Sequence, residues 1–368
     1  MEVLKAVAER RRTHGDVILL CVGQPSTPAP AVVLAAAERA LRSDNLGYTE
    51  AVGTLAFRAA IAAHYADQYR LDVAPDEVIV TTGSSGGFLL TLLAAFDPGD
   101  LVAITRPGYP AYRNDILSVG CRLLELECGA DTRYQPTVAM LDALDEKPAG
   151  LVIASPANPT GTVIDGTELE AIARWCAAND VLLISDEIYH GISFGQVNRS
   201  AWEFTRDAVV VGSLSKYQSM TGWRVGWLLL PAALRRPVEL LQGNLAICAP
   251  AISQAAGTAA FGPAARAELD EHVRRYAANR DLLLARLPEL GITSFAPPDG
   301  AFYAWCDIGH LTDDSKAWCA EVLAATGVAV TPGIDFDPVD GRHFMRLSFC
   351  GTPEELNEGI DRLVAHLR

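Results

Sequence analysis

A chain of 368 residues, half of them apolar and one fifth charged, holds enough material for a large buried core divided between two domains. Its formal net charge of −15 argues against a nucleic-acid or anionic-membrane partner, because phosphate-rich surfaces attract basic patches, and it favours small-molecule chemistry. Eight cysteines are scattered through apolar runs with no CxxC pair and no Cys/His cluster at zinc spacing, so they read as buried free thiols and no metal is expected.

Residues 1–13 are charged and helix-like and carry no apolar signal core. No run approaches the ~20 apolar residues of a membrane span. With unpaired thiols, a reducing, cytoplasmic setting is expected. Short apolar, largely β-branched runs then recur at 78–82, 101–105, 151–154, 181–185, 209–212 and 225–230, several of them separated by helical periodicity. Segment 168–178, for instance, places Leu169, Ile172 and Trp175/Cys176 on one face and stops before Asn179. The alternation predicts an α/β fold whose large domain has three layers, α/β/α, around a mostly parallel sheet. Beyond about residue 260 the texture changes to a long amphipathic segment, 264–287, followed by isolated strands at 301–306 and 344–349. This predicts a smaller α+β domain, with boundaries at 30–260 for the large domain and 1–29 plus 261–368 for the small one.

In parallel sheets, ligands sit beyond the carboxyl ends of the strands. Four specific segments fall at such ends: Thr82-Gly83-Ser84-Ser85, Asn158-Pro159-Thr160-Gly161, Ser185-Asp186-Glu187-Ile188-Tyr189 and Ser213-Leu214-Ser215-Lys216. Together they supply what an aldehyde cofactor with a pyridine ring and a phosphate requires, which is the chemistry of pyridoxal 5'-phosphate. Lys216 offers an amine to hold it as a Schiff base and to shuttle a proton, since a buried lysine beside a cation has a depressed pKa. Asp186 offers the carboxylate that keeps a pyridine nitrogen protonated, with helix N-capping as its alternative use, while strand alternation turns Glu187 the other way.

For the phosphate, Gly83, Ser84 and Ser85 precede an apolar helix predicted at 86–96 and present backbone amides, joined by Ser213 and Arg224. Tyr109, after the strand at 101–105, can cover the ring face or else pack as a loop aromatic. Asn158 and Tyr189 can donate to the ring's phenolate oxygen, although Asn158 can instead shape the Asn-Pro turn.

Along essentially its whole length the chain resembles the class I/II aminotransferases, which are fold-type I pyridoxal-phosphate enzymes. The resemblance rests on an ordered set: Gly23-Gln24-Pro25, Gly47-Tyr48, Gly83-Ser84-Ser85, Pro107-Gly108-Tyr109-Pro110, Asn158-Pro159-Thr160-Gly161, Asp186-Glu187-Ile188-Tyr189, Ser213 to Lys216, Thr221-Gly222-Trp223-Arg224, and Arg346 in Phe344-Met345-Arg346-Leu347-Ser348. It implies that Arg346 pairs with the substrate α-carboxylate, with Gly23 and Asn158 beside it. It also implies that Tyr48 reaches the cofactor phosphate of a neighbouring subunit, and hence a homodimer with shared active sites. Two departures stand out. Only 22 residues precede Gly23, a shorter arm than the family's usual one, and Ser85 occupies a position that is often lysine in one aspartate-specific group.

The activity so implied moves an amino group from an L-amino acid to a 2-oxo acid in two half-reactions with ping-pong kinetics. With no distal cation evident, neutral donors such as alanine or valine, with pyruvate as acceptor, are expected ahead of aspartate. The rival activity on the same cofactor is a β-lyase that cleaves C–S bonds. A non-catalytic binding module is disfavoured by Lys216, Asp186 and both arginines.

Overall fold

The computed structural model describes residues 2–43 and 45–368. After the helix Glu2–His14 come β1 (Ile18–Leu19) and, beyond two further helices, the strands of the main sheet. These are β2 (Val78–Thr81), β3 (Leu101–Arg106), β4 (Arg122–Glu127), β5 (Gly150–Ala154), β6 (Leu182–Asp186), β7 (Val209–Ser213) and β8 (Gly226–Leu229). They pair in the order β2-β8-β7-β6-β5-β3-β4, with β8 antiparallel to both neighbours and every other pair parallel.

Both faces of this sheet are buried, which is why its strands read as continuous apolar runs. Val80, Ala103, Leu151, Ile153, Leu183 and Val210 pack into one core. Their alternates Ile79, Val102, Ile104, Val152, Ile184 and Val211 pack into another on the opposite face. β4 was not expected from sequence, because Arg122-Leu-Leu-Glu-Leu-Glu127 lacks β-branched residues and is interrupted by charge. It is one of the sheet's two edge strands and, unlike the fully buried β2 at the other edge, has both ends exposed.

The residues after 260 build a second core around β9 (Tyr303–Asp307), β10 (Val328–Ala329), β11 (Thr331–Pro332) and β12 (Phe344–Ser348). β11, β12 and β9 form an antiparallel sheet in that order, while β10 pairs in parallel with β1, so the N-terminal segment joins the C-terminal part. The long helix Pro263–Arg286 spans the predicted amphipathic segment. Seven of the eight thiols are buried and Cys248 is half-buried; all are free. No helix among the described residues is long and apolar enough to cross a membrane.

Sheet direction sets the site. Because β8 alone is reversed, Thr81, Arg106, Ala154, Asp186 and Ser213 end their strands at the same edge at which β8 begins with Gly226, which pairs with both Thr81 and Ser213. Gly226 is needed there: a Cβ would stand 2.7 Å from the Gly212 carbonyl oxygen and 2.9 Å from backbone atoms of Gly83 and Ser84. The obstacle is backbone on two sides, so the Gly226→Ala variant should lose roughly 1–3 kcal/mol of stability. Urea denaturation of the apoprotein should show a lower midpoint at constant slope; an unshifted midpoint would mean the sheet edge is less tightly packed than this geometry requires.

Candidate active site

The carboxyl edge of the seven-stranded sheet opens into a cavity of about 840 Å³ that is closed on its other side by residues of β9, β11, β12 and the loop between the last two. Asp186 lies on its floor, on the face that continues from Ile184. It is 3 % exposed. Its Oδ1 accepts the Ile188 amide at 3.1 Å, so one oxygen does serve the turn, and its Oδ2 accepts a short hydrogen bond from the Tyr112 hydroxyl. Burial pushes the carboxyl up to about 6 even though both hydrogen bonds and the Lys216 charge favour the anion. Glu187 points to the opposite face, where its Oε1 accepts from Ser185, Ser200 and the Ala201 amide.

Lys216 follows β7 by three residues. Its Nζ donates to the Gly23 carbonyl at 2.8 Å and lies 5.8 Å from the centre of the Tyr189 ring. Burial, with the Arg346 charge second, lowers its pKa to about 8. A cation so held is close to releasing its proton near neutral pH, as an amine nucleophile and base must.

At the other end of the cleft, the helix Gly83–Ala95 begins with no side-chain cap, leaving its first-turn amides available to an anion. The helix starts three residues earlier than expected, so Gly83, Ser84 and Ser85 form its first turn instead of preceding it. Gly83 has φ +69°, and a Cβ there would lie 2.5 Å from Nη2 of Arg224, which is itself left-handed with φ +52°. The pair thus requires glycine. Ser84, Ser85 and Arg224 all line the cleft.

Ser213 does not. Its hydroxyl lies 2.9 Å from the Ser215 hydroxyl and 3.2 Å from the Val225 carbonyl and accepts the Ser215 amide, tying the turn to β8; Ser215 faces the cleft in its place. In this structure the Ser213 hydroxyl is engaged inside its own loop.

Tyr109, 38 % exposed, stands over the cleft edge-on to Tyr112 with ring centres 5.4 Å apart. Tyr189 is buried, and its hydroxyl shares a 2.8 Å hydrogen bond with that of Tyr303. Asn158 gives its oxygen to Arg346 Nη1 at 2.7 Å, which orients the amide. Arg346 Nη2 donates to the Cys21 carbonyl at 2.6 Å, and its guanidinium carbon lies 4.3 Å from the Tyr303 ring centre and 4.7 Å from that of Phe336. Among the described residues no carboxylate pairs with this buried cation, and its Nε has no partner. Gly23 is confined by Tyr303, whose hydroxyl would stand 2.0 Å from a Cβ. Tyr48 is 83 % exposed and not on this cleft.

Sequence reasoning did not single out Tyr112, Tyr303, Phe336 or Thr331, all of which line the cavity. Only Tyr112 carries a local signal, being one helical turn from Tyr109 and so on the same face. The residues present fit pyridoxal phosphate: an amine with a depressed pKa, a buried carboxylate for a ring nitrogen, an uncapped helix start beside Arg224, and an aromatic at the mouth.

A site of this composition at the carboxyl edge of such a sheet defines a pyridoxal-phosphate enzyme of fold type I. Residues 15–363 match class I and II aminotransferases, and the chain belongs to that family of pyridoxal-phosphate-dependent enzymes. It is 53 % identical over 365 residues to the valine–pyruvate aminotransferase of Mycobacterium tuberculosis, covering 99 % of this chain and 94 % of that one. It is 32 % identical to the (5-formylfuran-3-yl)methyl phosphate transaminase of Methanocaldococcus jannaschii, over 99 % of this chain and 95 % of that one. The crystal structure of an aminotransferase from Mycobacterium tuberculosis superposes with a TM-score of 0.98 at 52 % identity, covering 100 % of this chain and 95 % of that one.

The raised Asp186 pKa has a thermodynamic consequence. Between pH 3.8 and about 6 the folded apoprotein binds a proton there that the unfolded chain does not, so stability falls as pH rises through that window. Compared with Asp186→Asn, the wild-type apoprotein should lose on the order of 2–3 kcal/mol between pH 4 and pH 6.5. Parallel denaturation curves for the two proteins across this range would show the carboxylate to be better solvated than its burial indicates.

Proposed function

We propose that this aminotransferase takes valine, or a similarly small neutral amino acid, as donor and pyruvate as acceptor. The observation that carries the reading is Arg346, a buried cation with no ion-pair partner among the described residues, facing a cleft whose remaining wall includes Val22, Ile334 and Phe336. A substrate α-carboxylate satisfies Arg346, and an apolar side chain suits that wall. A second substrate carboxylate finds little welcome. Arg113 also reaches the cleft, but its Nε is held by Glu125 at 2.9 Å, and Asp115 and Asp335 line the same cavity. The relative that carries the name valine–pyruvate aminotransferase supports the same choice over aspartate.

When bound, pyridoxal phosphate supplies an aldehyde that condenses with amines and a pyridinium ring that withdraws electrons from the substrate α-carbon. Asp186 holds the proton on the ring nitrogen. Gly83, Ser84, Ser85 and Arg224 bind the phosphate, with Ser215 at the same edge and Ser213 bracing the turn. Lys216 Nζ carries the proton removed from the substrate α-carbon, and the Gly23 carbonyl, 2.8 Å away, orients that amine. Tyr189, braced by Tyr303, and Asn158, braced by Arg346, hold the ring's oxygen side, while Tyr109 covers the ring face. Arg346 binds the substrate carboxylate between Tyr303 and Phe336.

We further propose a division into a large domain, 30–260, and a small one, 1–29 with 261–368, which agrees with separate cores around the two sheets. A homodimer accounts for the exposed apolar side chains Leu89, Leu93, Leu240 and Leu245 on two contacting helices, together with Ile247 and Tyr48. Tyr48 would then serve the partner's phosphate. A reducing, cytoplasmic setting suits eight free thiols.

A donor and acceptor panel on the purified enzyme should rank valine and alanine with pyruvate above aspartate and glutamate. Fastest turnover with a dicarboxylic donor would overturn the substrate reading, and pyruvate and ammonia released from a cysteine conjugate without acceptor would favour a lyase. Borohydride reduction followed by peptide mass spectrometry should find the cofactor on Lys216 and no adduct in Lys216→Ala. An adduct on another lysine of the wild-type protein would remove Lys216 from its role.

A further inference from the structure

We propose that Arg106 is a positioning residue for substrate recognition, setting through the loop 333–341 where Phe336 meets the guanidinium of Arg346; the proposal rests on Arg346 being the carboxylate anchor. Arg106 ends β3 and is 7 % exposed, yet it does not line the cleft. Its Nη1 donates to Asp337 Oδ1 at 2.9 Å and Asp340 Oδ2 at 3.0 Å, and its Nη2 to Glu127 Oε2 at 2.8 Å. One guanidinium thereby ties the ends of β3 and β4 to a loop that lies between β11 and β12.

The contacts are unequal. Glu127 and Asp340 are well exposed, at 76 % and 53 %, so water competes for them and each contributes little. Asp337 is as buried as Arg106, with both side chains 8 % exposed. Removing the arginine would strand a carboxylate away from water. Asp337 Oδ1 also accepts the amides of Val339 at 2.9 Å and Asp340 at 3.0 Å, so the group that receives the strand's charge also closes the turn.

The loop behaves as one body. Gly333 and Gly341 approach so closely that a Cβ on either would lie within 2.4 Å of the other's carbonyl oxygen. A second tether reinforces the first, as the Gly108 amide donates to the Phe336 carbonyl at 3.1 Å. The same loop presents Ile334, Asp335 and Phe336 to the cavity. Phe336 packs edge-on to Trp305 with ring centres 5.8 Å apart and lies 4.7 Å from the Arg346 guanidinium carbon. A shift of the loop would therefore move one of the rings that hold the anchor, together with the apolar wall beside it, without touching Lys216 or Asp186.

The test uses holoenzyme and the fastest donor of the amino-acid panel. Arg106→Met should raise the donor KM roughly tenfold with kcat within about threefold, and leave the absorbance of bound cofactor unchanged. Arg106→Lys, which can pair with Asp337 but cannot also span to Glu127, should fall in between. Phe336→Ala should raise KM comparably, and adding Arg106→Met to it should cost little more, because both changes act through one contact.

Unchanged KM in Arg106→Met, or fully additive effects in the double variant, overturns the proposal. If Arg106→Met does not fold, Arg106→Lys decides alone: a KM raised about threefold supports the proposal and wild-type KM overturns it. Arg346→Ala separates the two levels. Should it leave KM unaltered, the anchor reading itself fails; should it raise KM while the Arg106 variants do not, only the positioning role is lost.

Discussion

Desolvation of two opposite charges at one sheet edge is the constraint around which this structure is organised. Burial moves Lys216 down to about 8 and Asp186 up to about 6, each towards its neutral form. A solvated lysine would stay charged and unreactive, and a solvated aspartate would be a poor partner for a ring nitrogen. What withholds water is the sheet itself, covered on both faces and capped at its carboxyl edge by the second, antiparallel sheet. The reversed strand β8 completes the arrangement by bringing Gly226 against the start of the helix that carries Gly83, so the amine, the carboxylate and the uncapped helix end share one cleft.

The arginines around that cleft differ in what already neutralises them. Arg106 and Arg113 have carboxylate partners from the chain, whereas Arg346 has rings, a carbonyl and an amide oxygen around it but, among the described residues, no anion. Availability, more than the number of cations, determines which can take a ligand. Arg113 shows the point: a count of cleft residues would offer it as a site for a distal carboxylate, yet Glu125 already holds it. The proposed preference for a neutral donor is supported by an apolar wall and by the acidic Asp115 and Asp335, which raise the energy of a second negative charge.

Much of the fold was legible in the chain because a sheet buried on both faces demands apolar residues, many of them β-branched, and every strand but β4 reads as such an apolar run, β8 doing so without a β-branched residue. β4 was not legible because it is only partly buried, with charged residues at its exposed ends, and so escapes that demand. The helix at Gly83 was placed three residues late because glycine and serine are poor helix formers in isolation, whereas the tertiary setting tolerates them where their amides can meet an anion. Tyr48 reads as unremarkable both in sequence and in a single chain, where it is simply exposed.

The amino-acid sequence by itself determined the chemical types and their order: a lysine after a strand, an aspartate at the end of another, a Gly-Ser turn, an arginine near the C-terminus. Those types are set by reactivity, which is a property of the residue. Only the tertiary structure decided who touches whom. Asn158 meets Arg346 across 188 positions, Tyr112 meets Asp186 across 74, and Ser213 is tied to Val225 across 12. Such contacts join separate elements through packing and leave no periodicity or spacing along the chain, so no local pattern could have announced them.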